Sequence, residues 1–283
     1  MSDRVAVTIE GGVADVRLNR PDKVNALDGA MFAALVEAGE ALKADASVRA
    51  VVLSGEGRGF CAGLDFSSFQ AMAGGGARKA DDGAEAHDVP GGIGQTSGRI
   101  THLGQQAAWV WTEVPVPVIA AVHGACLGGG LQVALGADIR IVAPDAKLGV
   151  LEVKWGLTPD MTATVMLPRI VGLDVAKELT FTAKVISGEE AARIGLATHV
   201  SADPRADALQ LAADIAARNP DAVRGAKRLF DGIEARSAAD QLALERKVIG
   251  SLVGTPNQVE AVKSGFEGRP PVFADPAGTA AQA

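Results

Sequence analysis

His123-Gly124-Ala125-Cys126-Leu127-Gly128-Gly129-Gly130-Leu131-Gln132 is the stretch on which the reading of this chain turns. The apolar run Pro117-Val118-Ile119-Ala120-Ala121-Val122 leads into it, and a helix-like run ending at Gly136-Ala137-Asp138 follows. The order is strand, glycine turn, helix start. Successive glycines let a ligand approach bare backbone. The helix start adds unpaired N–H groups and the positive end of the helix dipole. An oxygen that becomes negative during a reaction is stabilised in such a place.

Working outward, Val5-Ala6-Val7-Thr8-Ile9 alternates as a strand, Gly11-Gly12 turns the chain, and Val13 to Leu18 returns as the second arm of a hairpin. Leu27 to Lys43 carries Leu27, Met31, Leu35 and Leu42 at helical spacing. Ala50 to Gly55 is a buried strand, and Gly59-Phe60-Cys61-Ala62-Gly63-Leu64-Asp65 is a second glycine-containing turn. Residues 73–98, rich in Gly, Ala and Asp without a clear period, are expected to form a mobile loop over or near a site. Ile100 to Glu113 predicts a helix and Ile139 to Ala143 a strand. The alternation of strands and helices predicts an α/β (α+β) core over residues 1–204. Helical spacing over 208–217, 222–230 and 238–252 predicts a helical region over 205–273, with a disordered tail at 274–283.

A chain of 283 residues is long enough to bury a substantial core. Its net charge of -7, with no basic stripe, argues against nucleic acid as a partner. The only two cysteines, Cys61 and Cys126, sit inside the glycine motifs and form no CxxC pair. That excludes a disulfide framework, speaks against a zinc site and fits the reducing cytoplasm. No metal is expected. The N-terminus has no apolar signal core, and no run approaches the roughly 20 apolar residues of a membrane helix, so no integral membrane segment is expected.

Three motifs stand in order: Leu18-Asn19-Arg20-Pro21-Asp22-Lys23-Val24-Asn25-Ala26-Leu27, Phe60-Cys61-Ala62-Gly63-Leu64-Asp65, and His123-Gly124 through Gly130. Together they resemble the crotonase (enoyl-CoA hydratase/isomerase) superfamily, over roughly residues 5–273. The resemblance implies a spiral of ββα units, a C-terminal helical region that builds homotrimers or dimers of trimers, and acyl-CoA thioester substrates. Coenzyme A would enter as part of the substrate, with no separate cofactor. The resemblance also implies an oxyanion hole made by the backbone N–H groups of Leu64 and Gly129, each worth about 2.7–4 kcal/mol to a developing enolate. It sets Lys23, Val24 and Ala26 along the CoA nucleotide, mostly through backbone, with Ala62 and Asp65 beside the substrate. Arg269 would approach the CoA phosphate of a neighbouring subunit, although the lysine usual before it is Gly268 here.

Gln132 lies one turn beyond Gly129, with its Cβ tilted back toward the helix start. Hydratases of the resembling family carry a glutamate there and a second one twenty residues on, where Glu152 stands. An amide neither takes nor gives a proton at neutral pH, and loss of a general acid–base costs about 10²–10⁴ in rate. The run Glu152 to Asp160 resembles the dienoyl-CoA isomerase branch, which has a second acid eight residues on, at Asp160; that branch also carries an aspartate where Gln132 stands. Simpler roles compete: Gln132 capping its own turn, Glu152 on the surface, and Asp160 as a Pro-Asp helix cap.

The expectation is therefore an enoyl- or dienoyl-CoA double-bond isomerase with Glu152 and Asp160 as proton carriers. The alternatives are an enoyl-CoA hydratase in which Glu152 works with help from Gln132, and a non-catalytic acyl-CoA binder. His123 is expected as a packed or turn residue, while His87, His102 and His199 have no evident partner. Trp109 and Trp111, two apart, cannot share one helix face, so one should pack inward and the other lie near a surface.

Overall fold

The N-terminal alternation forms the expected hairpin in the computed structural model, which describes residues 3–65 and 98–276. Strand β1 (Val5–Glu10) pairs antiparallel with β2 (Val13–Leu18) across Gly11 and Gly12, both at positive φ. Helix α1 (Gly29–Ala44) starts where Asp28 accepts the Met31 N–H, and it buries Met31, Leu35 and Leu42 along one face. Strand β3 (Ala50–Gly55) follows. Helix α2 (Leu103–Glu113) opens on a capping box in which His102 accepts a backbone N–H and Gln105 reaches back to the His102 N–H. Then come β4 (Val118–Val122), β5 (Ala125–Leu127), the glycine-started α3 (Gly129–Leu135), β6 (Ile139–Val142) and β7 (Lys147–Gly149). Helices α4 (Ala163–Val171) and α5 (Leu173–Thr182), strand β8 (Ile186–Ser187), helix α6 (Gly188–Arg193) and strand β9 (His199–Val200) complete this part. Four helices end the chain: α7 (Pro204–Ala216), α8 (Pro220–Asp231), α9 (Ala238–Leu252) and α10 (Pro256–Glu267).

The strands form two sheets. The larger runs β1-β2-β3-β4-β6-β9, parallel after the hairpin; the smaller runs β5-β7-β8. Parallel bridges Leu27–Leu64 and Cys61–Cys126 extend the smaller layer. Each turn thus lays one strand in the large sheet, one extended segment in the small layer, and then a helix: β3, residues 61–65 and α2; β4, β5 and α3; β6, β7 and α4. This is the spiral of ββα units that the motifs imply.

Side chains alternate across the large sheet, as the pleat requires. Val51, Leu53, Val118, Ala120 and Val122 face the main core with Leu35 and Trp111. Ala50, Val52, Ile119, Ala121 and Ile141 face the other way, onto Ala208 and Ala212 of α7. So α7, expected to belong to a separate helical region from residue 205, instead covers the second face of the sheet. Its alanines, four apart, let the helix approach closely.

The tail expected from residue 274 is also tied down at first. Asn257 and Ala274 exchange two hydrogen bonds of 3.0 Å, and Arg49 pairs with Asp275 at 3.1 Å. Residues 277–283 lie outside the described residues, as does the expected loop 73–98 except for Gly98. Among the described residues, no helix is long and apolar enough to cross a membrane.

Candidate active site

Two glycine turns meet between successive coils of the spiral. Cys61 N–H donates to Ala125 O at 2.8 Å, and Leu127 N–H donates to Cys61 O at 3.0 Å. On the other side, Leu27 N–H donates to Gly63 O at 2.8 Å, and Asp65 N–H donates to Leu27 O at 2.9 Å. In an extended segment, alternate peptides point opposite ways. Because the groups flanking Leu64 both face Leu27, the Leu64 N–H points away from it.

Gly63 has φ 88°, and a Cβ there would lie 2.6 Å from Leu127 O and 3.6 Å from Gly129 N. Only glycine permits this approach, which sets the Leu64 and Gly129 peptides beside each other. Gly128 spends its N–H on Gly149 O at 2.8 Å, whereas the Leu64 and Gly129 N–H groups bond no acceptor among the described residues. Leu27 and Met161 wall the place, since a Cβ on Gly129 would lie 2.8 Å from Leu27 Cδ1 and 3.0 Å from Met161 Sδ.

The turn before α1 braces this pair from behind. Val24 and Asn25 both adopt left-handed φ, and Val24 O accepts the Ala62 N–H at 2.9 Å. The Asn25 amide donates to Glu56 O and Gly59 O at 2.9 Å and to Phe60 O at 3.1 Å, while its Oδ1 accepts the Arg20 N–H at 2.8 Å. Val24, Ala26, Ala62 and Asp65 are therefore gathered around the Leu64 segment, and Lys23 stays exposed beside them. The Asp65 carboxylate is buried and paired with Arg20.

Gln132 is fully buried, and both ends of its amide are engaged. Its Oε1 accepts Met161 N–H at 2.9 Å and Ala163 N–H at 3.0 Å, while Nε2 donates to Glu152 Oε1 at 2.7 Å. It therefore ties down the start of α4, not its own turn.

Glu152 is half-buried beside the glycine turn: a Cβ on Gly128 would lie 3.5 Å from its Oε1. Its Oε2 is buried without a hydrogen-bond partner. Burial pushes the Glu152 carboxyl above its ordinary value, and the Asp160 charge adds to the rise; a backbone contact and the Gln132 amide pull it back. After Glu152 the chain makes a short 3-10 turn to Trp155, closed by Gly156 at φ 73°. The segment therefore turns, as its glycine and proline predict.

Asp160 caps no helix, because Thr162 holds the cap position of α4. Its carboxyl is also raised, chiefly by the atoms packed around it, with His102 pulling the other way. The residue nevertheless keeps an exposed surface, so solvent screens much of that effect. His102 was the neighbour missing from the sequence reading. It is 9% exposed, and its Nδ1 accepts the Gly104 N–H at 3.1 Å. The His-x-x-Gln spacing of a capping box was the signal for it.

Other expected residues fall elsewhere. His123 is a turn residue whose Nε2 lies 2.9 Å from Gly57 O. Trp111 is the inward tryptophan, and Trp109 is only partly buried. His199 lies exposed in β9, and His87 is outside the described residues. Arg269 pairs with Glu260 through two bonds of 2.5 and 2.9 Å and with Glu267 at 2.6 Å. This arginine holds the Glu260 carboxyl down at about 2.

Residues 13–274 match the family model described as enoyl-CoA hydratase/isomerase. The chain is 34% identical to a mitochondrial methylglutaconyl-CoA hydratase of Mus musculus, over 93% of this chain and 79% of the relative. It is 34% identical to the mitochondrial Delta(3,5)-Delta(2,4)-dienoyl-CoA isomerase of the same organism, over 76% of this chain and 64% of that protein. The crystal structure of an enoyl-CoA hydratase from Bacillus anthracis superposes with a TM-score of 0.82 at 28% identity, covering 95% of this chain and 98% of that one.

Proposed function

From the membership of this chain in the enoyl-CoA hydratase/isomerase family, we propose that it shifts a double bond in an enoyl- or dienoyl-CoA thioester through an enolate. The thioester oxygen accepts the Leu64 and Gly129 N–H groups, which strengthen their hold as it gains charge. Glu152, lying over Gly128, takes the proton from the carbon next to the thioester. The electron pair moves into the conjugated system and onto the oxygen. Asp160, protonated, returns a proton to the far carbon, and solvent restores both carboxyl groups.

The engagement of Gln132 carries this reading. Its carbonyl is spent on two backbone N–H groups and its NH2 on Glu152, so it orients a base and moves no proton. Glu152 and Asp160 are the nearby carboxyl groups, both raised above their ordinary values chiefly by burial. The test is a 3,5-dienoyl-CoA assay, in which isomerisation lengthens the absorbing chromophore. D160N should abolish turnover while retaining thioester binding; unchanged turnover in that variant refutes the proton-shuttle role.

A hydratase reading has its own support: the free Oε2 of Glu152 suits a water, and a methylglutaconyl-CoA hydratase aligns over most of the chain. Water addition to a 2-enoyl-CoA erases its chromophore, which separates the two reactions. Tight thioester binding without turnover of either substrate would instead identify an acyl-CoA binder.

Coenzyme A would arrive with the substrate, its nucleotide along Lys23, Val24 and Ala26. The working assembly would be a homotrimer or dimer of trimers. Phe230, Ile249, Val259 and Phe266, all more than half exposed on α8 to α10, favour burial against further copies. The two unpaired thiols fit a cytoplasmic setting.

A further inference from the structure

Arg20 takes part in no step above, yet its side chain is only 14% exposed and its partner Asp65 only 10%. A buried ion pair is weak evidence for stability, because desolvation offsets much of the attraction. Its value here is positional. The Arg20 backbone N–H is fixed to Asn25 Oδ1 at 2.8 Å. Its Nη1 donates to Ala26 O at 3.1 Å and to Asp65 Oδ2, and it lies 3.5 Å from Asp28 Oδ2. Asp28 in turn caps α1 by accepting the Met31 N–H at 2.8 Å. One guanidinium therefore joins the exit of the hairpin, the start of α1 and the segment that carries Leu64.

Asp65 follows Leu64 directly. Its N–H is bonded to Leu27 O and its carboxylate to Arg20, so both its backbone and its side chain are held by the 20–28 segment. These ties fix the residue whose own N–H points into the site. The carboxylate is also a buried negative charge on the residue next to the Leu64 donor. The guanidinium offsets that charge.

We propose that Arg20 is a positioning residue for the reaction: acting through Asp65, it fixes the direction of the Leu64 N–H and shields the enolate from the Asp65 charge. The inference rests on the oxyanion reading of Leu64 and Gly129 given above. It goes beyond that reading by assigning the alignment of one donor to an ion pair that touches no substrate.

The test uses the full chain and 4-dimethylaminocinnamoyl-CoA, whose absorption moves to longer wavelength when its carbonyl oxygen is polarised. The unsubstituted protein should shift the bound probe to the red. R20Q and D65N should each lose at least about half of that shift, with kcat lowered about tenfold or more and KM little changed, a fraction of the loss seen when an oxyanion donor is removed. R20K, which keeps the charge and a donor, should recover part of both signals. R20Q should be the more impaired variant, because it removes the guanidinium from both Ala26 O and Asp65 while keeping the Asp65 charge. D65N, which keeps the Arg20 bond to Ala26 O, decides the matter if R20Q fails to fold. A full red shift in both R20Q and D65N overturns this inference and leaves the oxyanion reading intact. A bound but unshifted probe in the unsubstituted protein overturns the oxyanion reading, and the inference with it.

Discussion

Replacing Gln132 by glutamate tests the inner geometry most directly. One oxygen of the new carboxylate would keep the Met161 and Ala163 N–H bonds of 2.9 and 3.0 Å. The other would take the place of the NH2 now 2.7 Å from Glu152 Oε1, turning a charge-assisted attraction into a meeting of like charges. Two charges about 4 Å apart at an effective dielectric of about 20 repel by about 4 kcal/mol, equivalent to about three pKa units. The pair should therefore retain one shared proton through neutral pH, as coupled carboxylate dyads do. In the proposed mechanism isomerisation needs an ionised Glu152, so the rising limb of its pH–rate profile should move upward by up to about three units. Hydration of a 2-enoyl-CoA should rise at the same time, because two carboxyl groups sharing one proton can both grip and split a water. The assay follows both reactions on one preparation from acid to alkaline pH. A profile for Q132E that superimposes on that of the parent would refute the placement of the amide against Glu152.

Two further outcomes follow from the same geometry. E152Q should be inactive yet more stable at neutral pH by about 1 kcal/mol, because it replaces a carboxylate whose charge is disfavoured by burial with a neutral amide of the same shape. The sign is fixed by the raised carboxyl: its folded-state pKa lies above the unfolded one, so stability is full below about pH 4 and is lost as pH rises through the folded value. Calorimetry should thus show a higher Tm for E152Q at neutral pH and no advantage in acid; an unchanged Tm at neutral pH would contradict a burial cost for the Glu152 charge. N25A should lower stability by about 2–4 kcal/mol, since alanine at φ 55° is strained and three carbonyls lose their donor. A urea midpoint within error of the parent would remove Asn25 as the brace of the Gly59–Asp65 segment.

Local patterns carried most of the fold. The Val5–Leu18 hairpin and the Met31, Leu35 and Leu42 stripe of α1 depend on near neighbours and form as their spacing predicts; at 117–135 the strand and the glycine-started helix form, with the short strand β5 (Ala125–Leu127) inside the stretch read as a turn. The place of α7 was hidden, because an alanine-rich helix presents the same spacing whether it covers a sheet or stands apart. In the site, the two glycine turns announced themselves by composition. The engagement of Gln132 did not, because its partners lie 20 to 31 residues away and no periodic signal links them. The Arg20–Asp65 pairing is equally silent: each residue stands in a motif of its own, and no sequence signal links positions 45 residues apart. His102 was legible only as a helix cap; its nearness to Asp160 required the fold.

The repeating ββα turn has a consequence for how such a protein changes its chemistry. Leu64 ends the extended segment of one coil, Gly129 follows that of the next coil, and Glu152 follows that of the coil after. These residues stand on consecutive steps of a staircase, and backbone hydrogen bonds join one step to the next. On the proposed reading, a substitution that spares those bonds would exchange a tool and leave the stair standing. Residue 132 does two jobs on that stair: its NH2 meets Glu152, and its carbonyl pins the Met161 and Ala163 N–H groups at the foot of the next helix.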